Sequence, residues 1–179
     1  GGRISASESE MLHVVKSRIH RLLRLYREYM AKRTVEAHCG EIFVGGRTRL
    51  SSKTRLGRNP SFNGFTVNGH GRLSIGDNFH SGTDCLIITS IHNYDSGTRI
   101  PYDETHIPKD VVIGDNVWFG DRVLVIGSVT IGNGAIIQAG AVVVKDVPEL
   151  AIAGGNPATV FKYRDREHYN RLVADGKFH

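Results

Sequence analysis

From Ile113 onward a large apolar residue recurs every six positions, on Ile113, Phe119, Val125, Ile131, Ile137 and Val143. The fourth residue after each, Val117, Val123, Val129, Ala135, Ala141 and Val147, is apolar as well. In an extended chain, residues two or four apart share one face, so both series mark the inner side of short strands. The same beat runs upstream on Ile75, Ser81 and Ile87, with Phe79 and Cys85 as inward companions. It is looser on Val44, Leu50, Leu56 and Phe62 with Thr48, Thr54 and Thr66, and one residue of slippage separates Phe62 from the Ile75 series. A meander of strands in a sandwich would place turns without a fixed phase. The strict phase instead predicts an all-β solenoid in which each rung buries its neighbour, and the hexad suggests a triangular β-helix. Glycine and asparagine follow the aliphatics in Ile113-Gly114-Asp115-Asn116 and Ile131-Gly132-Asn133-Gly134, as tight corners with positive dihedrals require.

Two segments leave the beat. Residues 89–110 contain polar residues and Pro101 and Pro108, with no inward aliphatic at the expected beats, which predicts an excursion loop of the kind that carries function on a rigid scaffold. After Pro157 the pattern changes, and Asp165 caps a short helix to about Val173 that Gly176 ends. This helix is expected to cover the open end of the solenoid. The chain then divides into a helical segment, 1–38, the β-helix, 39–160, and a C-terminal cap, 161–179.

In the first segment Ser9 through Arg33 reads as a helix, because Leu12, Val15, Ile19, Leu22, Tyr26 and Tyr29 alternate spacings of three and four. Charge is concentrated here: residues 1–58 carry thirteen Lys/Arg against five Asp/Glu, and residues 59–179 carry ten against thirteen. The helix either meets an anionic membrane or packs on the main domain or a sister chain, and packing is the expected role. No aromatic-basic motif follows it, so no nucleic-acid partner is expected. With 179 residues the chain suits one core plus an appendage. Cys39 and Cys85 are too few for a disulfide framework or a CxxC zinc site and suit a reducing, cytoplasmic compartment. No apolar run approaches the roughly 20 residues of a membrane span.

Three ordered motifs carry a resemblance: Ile113-Gly-Asp-Asn-Val-Trp118-Phe-Gly120, then Val142-Val-Val-Lys145-Asp146-Val147-Pro148, then Ala153-Gly-Gly-Asn-Pro157-Ala. Over about residues 40–165 the chain resembles the hexapeptide-repeat acyltransferases. Within them it is most similar to the galactoside, maltose and polysaccharide sugar O-acetyltransferases. The resemblance implies a left-handed parallel β-helix, a hand that general crossover rules would not give. It also implies a homotrimer and acetyl transfer from acetyl-CoA to a hydroxyl, or in some branches an amine, with a single His as base.

The matching residue is His92, where the coil gives way to the excursion, and His106 is the second choice among nine histidines. A neutral imidazole can take the proton of an attacking hydroxyl, and an activated thioester needs no covalent enzyme intermediate. Asp77, Asp84, Asp95 or a backbone carbonyl could orient the ring. By resemblance Trp118, Gly120, Ala139, Gly140, Val144, Lys145, Asn156, Pro157 and Lys162 line the acetyl-CoA groove. The acceptor, a carbohydrate, would meet Asn63, Asp84, Asn93 and Trp118. The chain departs from the family at Val144, where Thr is common, at Thr159, where a cation is common, and at Asp121, where Ser or Ala is common. No metal is expected, since a zinc hydratase on this scaffold would need converging histidines with a closely spaced pair. A non-catalytic trimeric scaffold is the remaining rival.

Overall fold

The computed structural model describes residues 6–179, except the side chains of residues 6–10 and of Leu12, so the expectation for Leu12 lies outside the described residues. Three parallel sheets form the walls of a prism. The first wall stacks Ala37–Cys39, Thr54–Arg58, Leu73–Ile75, Val111–Ile113 and Val129–Ile131. The second stacks Phe43–Val44, Ser61–Phe62, His80–Ser81, Trp118–Phe119, Ile136–Ile137 and Ala151–Gly154, and Thr159–Tyr163 turns back antiparallel along its edge. The third stacks Thr48–Arg49, Phe65–Asn68, Cys85–Ile88, Leu124–Ile126 and Val142–Val143. The chain visits the walls in turn and completes about six coils.

Register shows why the six-residue beat works. Val111 pairs with Val129, Trp118 with Ile136 and Leu124 with Val142, a repeat of eighteen residues on every wall. All twelve apolar positions from Ile113 to Val147 are buried, none above 5% exposure. Phe62, Phe65, Phe79 and Phe119 fill the middle of the prism as a stack of rings with centroids 5.0–5.7 Å apart.

The looser upstream beat needs a correction. Thr48 and Thr66 are only half-buried, and Phe65 and Val67 face inward beside the buried Thr54. Coil length drifts here, seventeen residues from Thr48 to Phe65, nineteen from Thr54 to Leu73 and twenty from Phe65 to Cys85. Extra corner residues leave the walls in register while shifting a strict count of six.

The corners explain the Gly and Asn pattern by two separate devices. Asn59, Asn78, Asn116 and Gly134 carry positive φ of 53–68° at one corner. Asn59 Nδ2 donates to Asn78 Oδ1 and Asn78 Nδ2 to Asn116 Oδ1, a ladder that ends where Asn116 Nδ2 donates to the Tyr169 hydroxyl. Gly114 serves close approach instead, because a Cβ there would lie 2.2 Å from Asn133 Oδ1 and 2.9 Å from Asn133 N. The neighbouring Asp77, Asp115 and Asn133 each accept a backbone N–H from the adjacent coil at 2.7–2.8 Å.

Helix α1 spans Ala6–Thr34 and seats its last turns on the first coil through Ala31, which is buried. Helix α2 spans Arg166–Ala174, with Asp165 Oδ1 accepting from His168 N as the cap and Gly176 at φ 63° after its end. It does not close the end of the prism. It lies along a corner, where Tyr169 meets Asn116 and the following tail reaches down to Asn59, whose Nδ2 donates to the His179 carbonyl. None of its residues is fully buried, and Tyr169, Leu172 and Val173 turn toward Val117, Trp118 and Ile136 around a shared hollow on the side of the prism.

Candidate active site

The excursion begins and ends on one residue: the Thr89 carbonyl accepts from Gly71 N and Lys109 N, both at 2.8 Å. Between them Ser90–His92 pairs antiparallel with His106–Pro108, so the loop is a hairpin. Its base adds twenty residues to a coil, since Leu73 pairs with Val111 thirty-eight positions on, yet the walls above and below keep their register. The hairpin is held from inside by Asp103, which is buried. Asp103 Oδ2 accepts from Thr98 N at 2.7 Å, and Oδ1 accepts from Thr105 N at 2.9 Å and from the Thr105 hydroxyl. Those bonds, led by the Thr105 hydroxyl, hold its carboxyl well below the usual carboxylate range.

This frame fixes the surroundings of His92. The Tyr102 ring stacks on the imidazole, centroids 3.7 Å apart and 14° from parallel, and His106 leans on it at 4.5 Å. His70 meets His106 edge-on at 4.9 Å. The three histidines border a hollow of about 270 Å³ with Asn68, Gly69, Ile88 and Ser90. His106 Nδ1 lies 3.1 Å from the Glu104 carbonyl, which can only accept, so the proton sits on Nδ1. His92 Nδ1 is buried and has no hydrogen-bond partner among the described residues. None of Asp77, Asp84 and Asp95 therefore orients it, and Asp77 is instead paired with Arg58 at 2.6 Å. Among the described residues no three His, Cys, Asp or Glu side chains are placed to hold a metal ion.

The candidate groove lies elsewhere on the prism. Trp118, half exposed on the second wall, shares a hollow of about 470 Å³ with Gly120, Ala139, Gly82, Asp121 and Ile152. Coils pack tightly here, because a Cβ on Gly120 would stand 2.5 Å from Ala139 N. Gly140 forms the adjoining corner at φ 73°, its N–H donating to the Asp121 carbonyl. Asn156 and Pro157 lie above it, in a turn tied to the third wall by Ala158 N donating to the Val142 carbonyl. Lys162 pairs with Ile152 beside the hollow. Arg164, the other cation nearby, is engaged with the Gly134 carbonyl and the Tyr169 ring.

Val144 and Lys145 are not part of this hollow. Val143 pairs with Val125, and Val125 with Ile87, so the two residues continue past the third wall toward the hairpin's corner. Asp84 borders a further hollow on the third wall that shares Asn68 with that of His92. Asn63 binds the Ser81 carbonyl through Nδ2, and Asn93 Oδ1 accepts from Ser96 N and Oγ, so both amides are engaged within the chain. His80 lies on the second wall against His179, and burial holds its pKa below the usual imidazole value. Tyr102 and Asp103 carry no sequence signal of their own beyond the loop that contains them.

Residues 110–145 match the family profile described as bacterial transferase hexapeptide, six repeats. A protein of Mycobacterium tuberculosis named "Probable acetyltransferase" is 33% identical over 133 residues, covering 74% of this chain and 41% of the relative. The chain spans 32–55% of the lengths of the curated relatives it matches. A hexapeptide-repeat acetyltransferase from Vibrio cholerae, solved with acetyl coenzyme A, superposes with a TM-score of 0.65 at 24% identity, covering 90% of this chain and 91% of that one. A maltose O-acetyltransferase from Clostridium difficile gives a TM-score of 0.58 at 29% identity, covering 73% and 66%. Repeat, register and likeness agree: the solenoid is a left-handed parallel β-helix, and the chain is similar to the hexapeptide-repeat acetyltransferases, whose repeat it carries over residues 110–145.

Proposed function

We propose that the chain is an acetyltransferase that moves the acetyl group of acetyl-CoA to a carbohydrate hydroxyl, with His92 as general base. The observation that carries this reading is the placement of His92: an imidazole at the root of a braced hairpin, open to a hollow and stacked on Tyr102. The His92 Nε2 takes the hydroxyl proton as the oxygen attacks the thioester carbonyl, and the C–S bond then breaks with the proton passing to the leaving thiolate. Backbone N–H groups near Gly120 and Gly140 suit the pantetheine arm, and Lys162 is the cation for a phosphate. Relatives named as acetyltransferases, and a structural neighbour solved with acetyl coenzyme A, support the donor.

On one chain the His92 hollow and the Trp118 groove open on different walls and share no lining residue. A complete site therefore calls for a second copy, with the groove of one chain beside the hairpin of the next, and a homotrimer closes such head-to-tail contacts. The acceptor belongs to cell-surface glycan assembly in this reading, in a cytoplasm that suits free Cys39 and Cys85.

The test is release of free CoA by the pure protein with nucleotide-linked, lipid-linked and polymeric glycans. His92→Ala is expected to keep CoA binding by calorimetry and lose about 10²–10⁴-fold in transfer. Undiminished transfer by His92→Ala, or no binding of acetyl-CoA by the parent, refutes the reading.

A further inference from the structure

Helix α1 is anchored by the wrong face for an ordinary amphipathic helix. Ala31 is buried, Arg24 stacks over the Phe43 ring at 5.4 Å, and Arg27 Nη1 donates to the Gly45 carbonyl at 3.1 Å. The polar side thus faces the prism. The apolar side faces away: Val15, Ile19, Leu22, Tyr26 and Tyr29 are 48–66% exposed. Met11, Val14, Leu23, Leu25 and Met30 flank them at 42–63%. Together these ten side chains expose on the order of 1,000 Å², a little above what one partner contributes to a stable protein interface.

The spacing identifies what covers this surface. Val15, Ile19, Leu22, Tyr26 and Tyr29 alternate steps of four and three, the a and d positions of a heptad, whose 3.5-residue period keeps a seam on another helix. Ser17, Arg24 and Ala31 then fall at f, opposite the seam, and f is the face that Arg24 and Ala31 seat on the prism. In a parallel, in-register pairing each g residue meets the e residue five positions on in the partner. That puts Met11 against Lys16, Arg18 against Leu23, and Leu25 against Met30, with no like charges opposed. A lipid surface would require only a broad apolar arc and gives no reason for heptad phase.

We infer that α1 packs by its outward a/d seam against α1 of another copy of this chain, parallel and in register. Leu22 at d then approaches Leu22 of its partner across the seam. The test places Leu22→Cys or Arg24→Cys in a full chain carrying Cys39→Ser, because Cys39 is exposed and Cys85 buried. On mild oxidation Leu22→Cys is expected to form an interchain disulfide about tenfold more than Arg24→Cys, since only the seam brings two Cβ atoms within disulfide reach. No cross-link at position 22, or equal cross-linking at both positions, overturns the inference. So does cosedimentation of the Cys39→Ser chain with phosphatidylcholine–phosphatidylglycerol vesicles that Leu22→Glu abolishes, which would assign the face to lipid. All these readouts are independent of acetyl transfer.

Discussion

Gly114→Ala tests whether coil spacing, rather than backbone dihedral, fixes the corner glycines. The φ of Gly114 lies outside the left-handed region, so alanine is not excluded by conformation. A Cβ there would stand 2.2 Å from Asn133 Oδ1, 2.9 Å from Asn133 N and 3.2 Å from Asn133 Cα. Overpacking of this kind costs about 1–3 kcal/mol. Pushing Asn133 Oδ1 aside also breaks its 2.8 Å bond from Asp115 N, about 1 kcal/mol more. The reduced entropy of the unfolded chain returns about 0.4–1 kcal/mol, leaving a net loss of roughly 2 kcal/mol. Asn133→Ala alone loses only the hydrogen bond. The double variant should therefore fall short of the sum by about 1 kcal/mol, because that bond is lost once and the Oδ1 clash disappears. Gly140→Ala is the control: nothing lies within 4 Å of its Cβ but its φ is 73°, so it should cost about 1–2 kcal/mol from conformation alone. Equilibrium urea unfolding by circular dichroism at one fixed chain concentration reads all four variants. Stability of Gly114→Ala at or above the parent, or strict additivity with Asn133→Ala, would refute the close-approach argument.

Tyr102→Ala should lower kcat about tenfold with little change in the KM for acetyl-CoA, and Tyr102→Phe should restore it, since the stacked ring and not its hydroxyl holds His92; equal losses in both variants count against the positioning role. The depressed pKa of Asp103 means that its contribution is full above the ordinary carboxylate range near 4 and is lost only as pH falls through its lower folded value. The Thr98 and Thr105 amide resonances should accordingly hold steady from neutral pH to about pH 4, whereas Asp103→Asn should broaden them at every pH. Burial pushes the Cys85 thiol up to about 11, so its stabilising effect persists below the unfolded value near 9 and fades as pH climbs toward 11. A thiol reagent near neutral pH should modify exposed Cys39 quickly and Cys85 only after denaturation, and rapid reaction of two thiols per native chain would contradict that burial.

The prism was legible because its determinant is strictly local. One inward residue every sixth position, as at Ile113 and Phe119, is both the sequence signal and the physical cause of the wall. Legibility failed where corners lengthen: Thr66 was expected inward, but Phe65 and Val67 take that place because a one-residue change at a corner reverses the pleat. The break at residues 89–110 was evident from its prolines and missing aliphatics, yet its hairpin pairing and the Tyr102 stack depend on Asp103 gathering Thr98 and Thr105, a contact no periodicity encodes. The groove residues divided for a similar reason. Lys145 and Gly120 are neighbours in motif order, but each coil turns through three walls, so sequence proximity does not fix which wall a residue reaches. For α1 the apolar stripe was readable, and its outward direction was not, since it depends on Arg24 finding Phe43.

The hairpin leaves the prism at Thr89 and returns at Lys109, whose N–H donates to the Thr89 carbonyl, and the walls on either side continue as if it were absent. Such an insertion leaves the register of the tower that carries it unchanged. In the proposed reading, the length and sequence of its tip can change while the register of the core stays fixed, so selection for a new acceptor can act there while the proposed donor groove stays as it is.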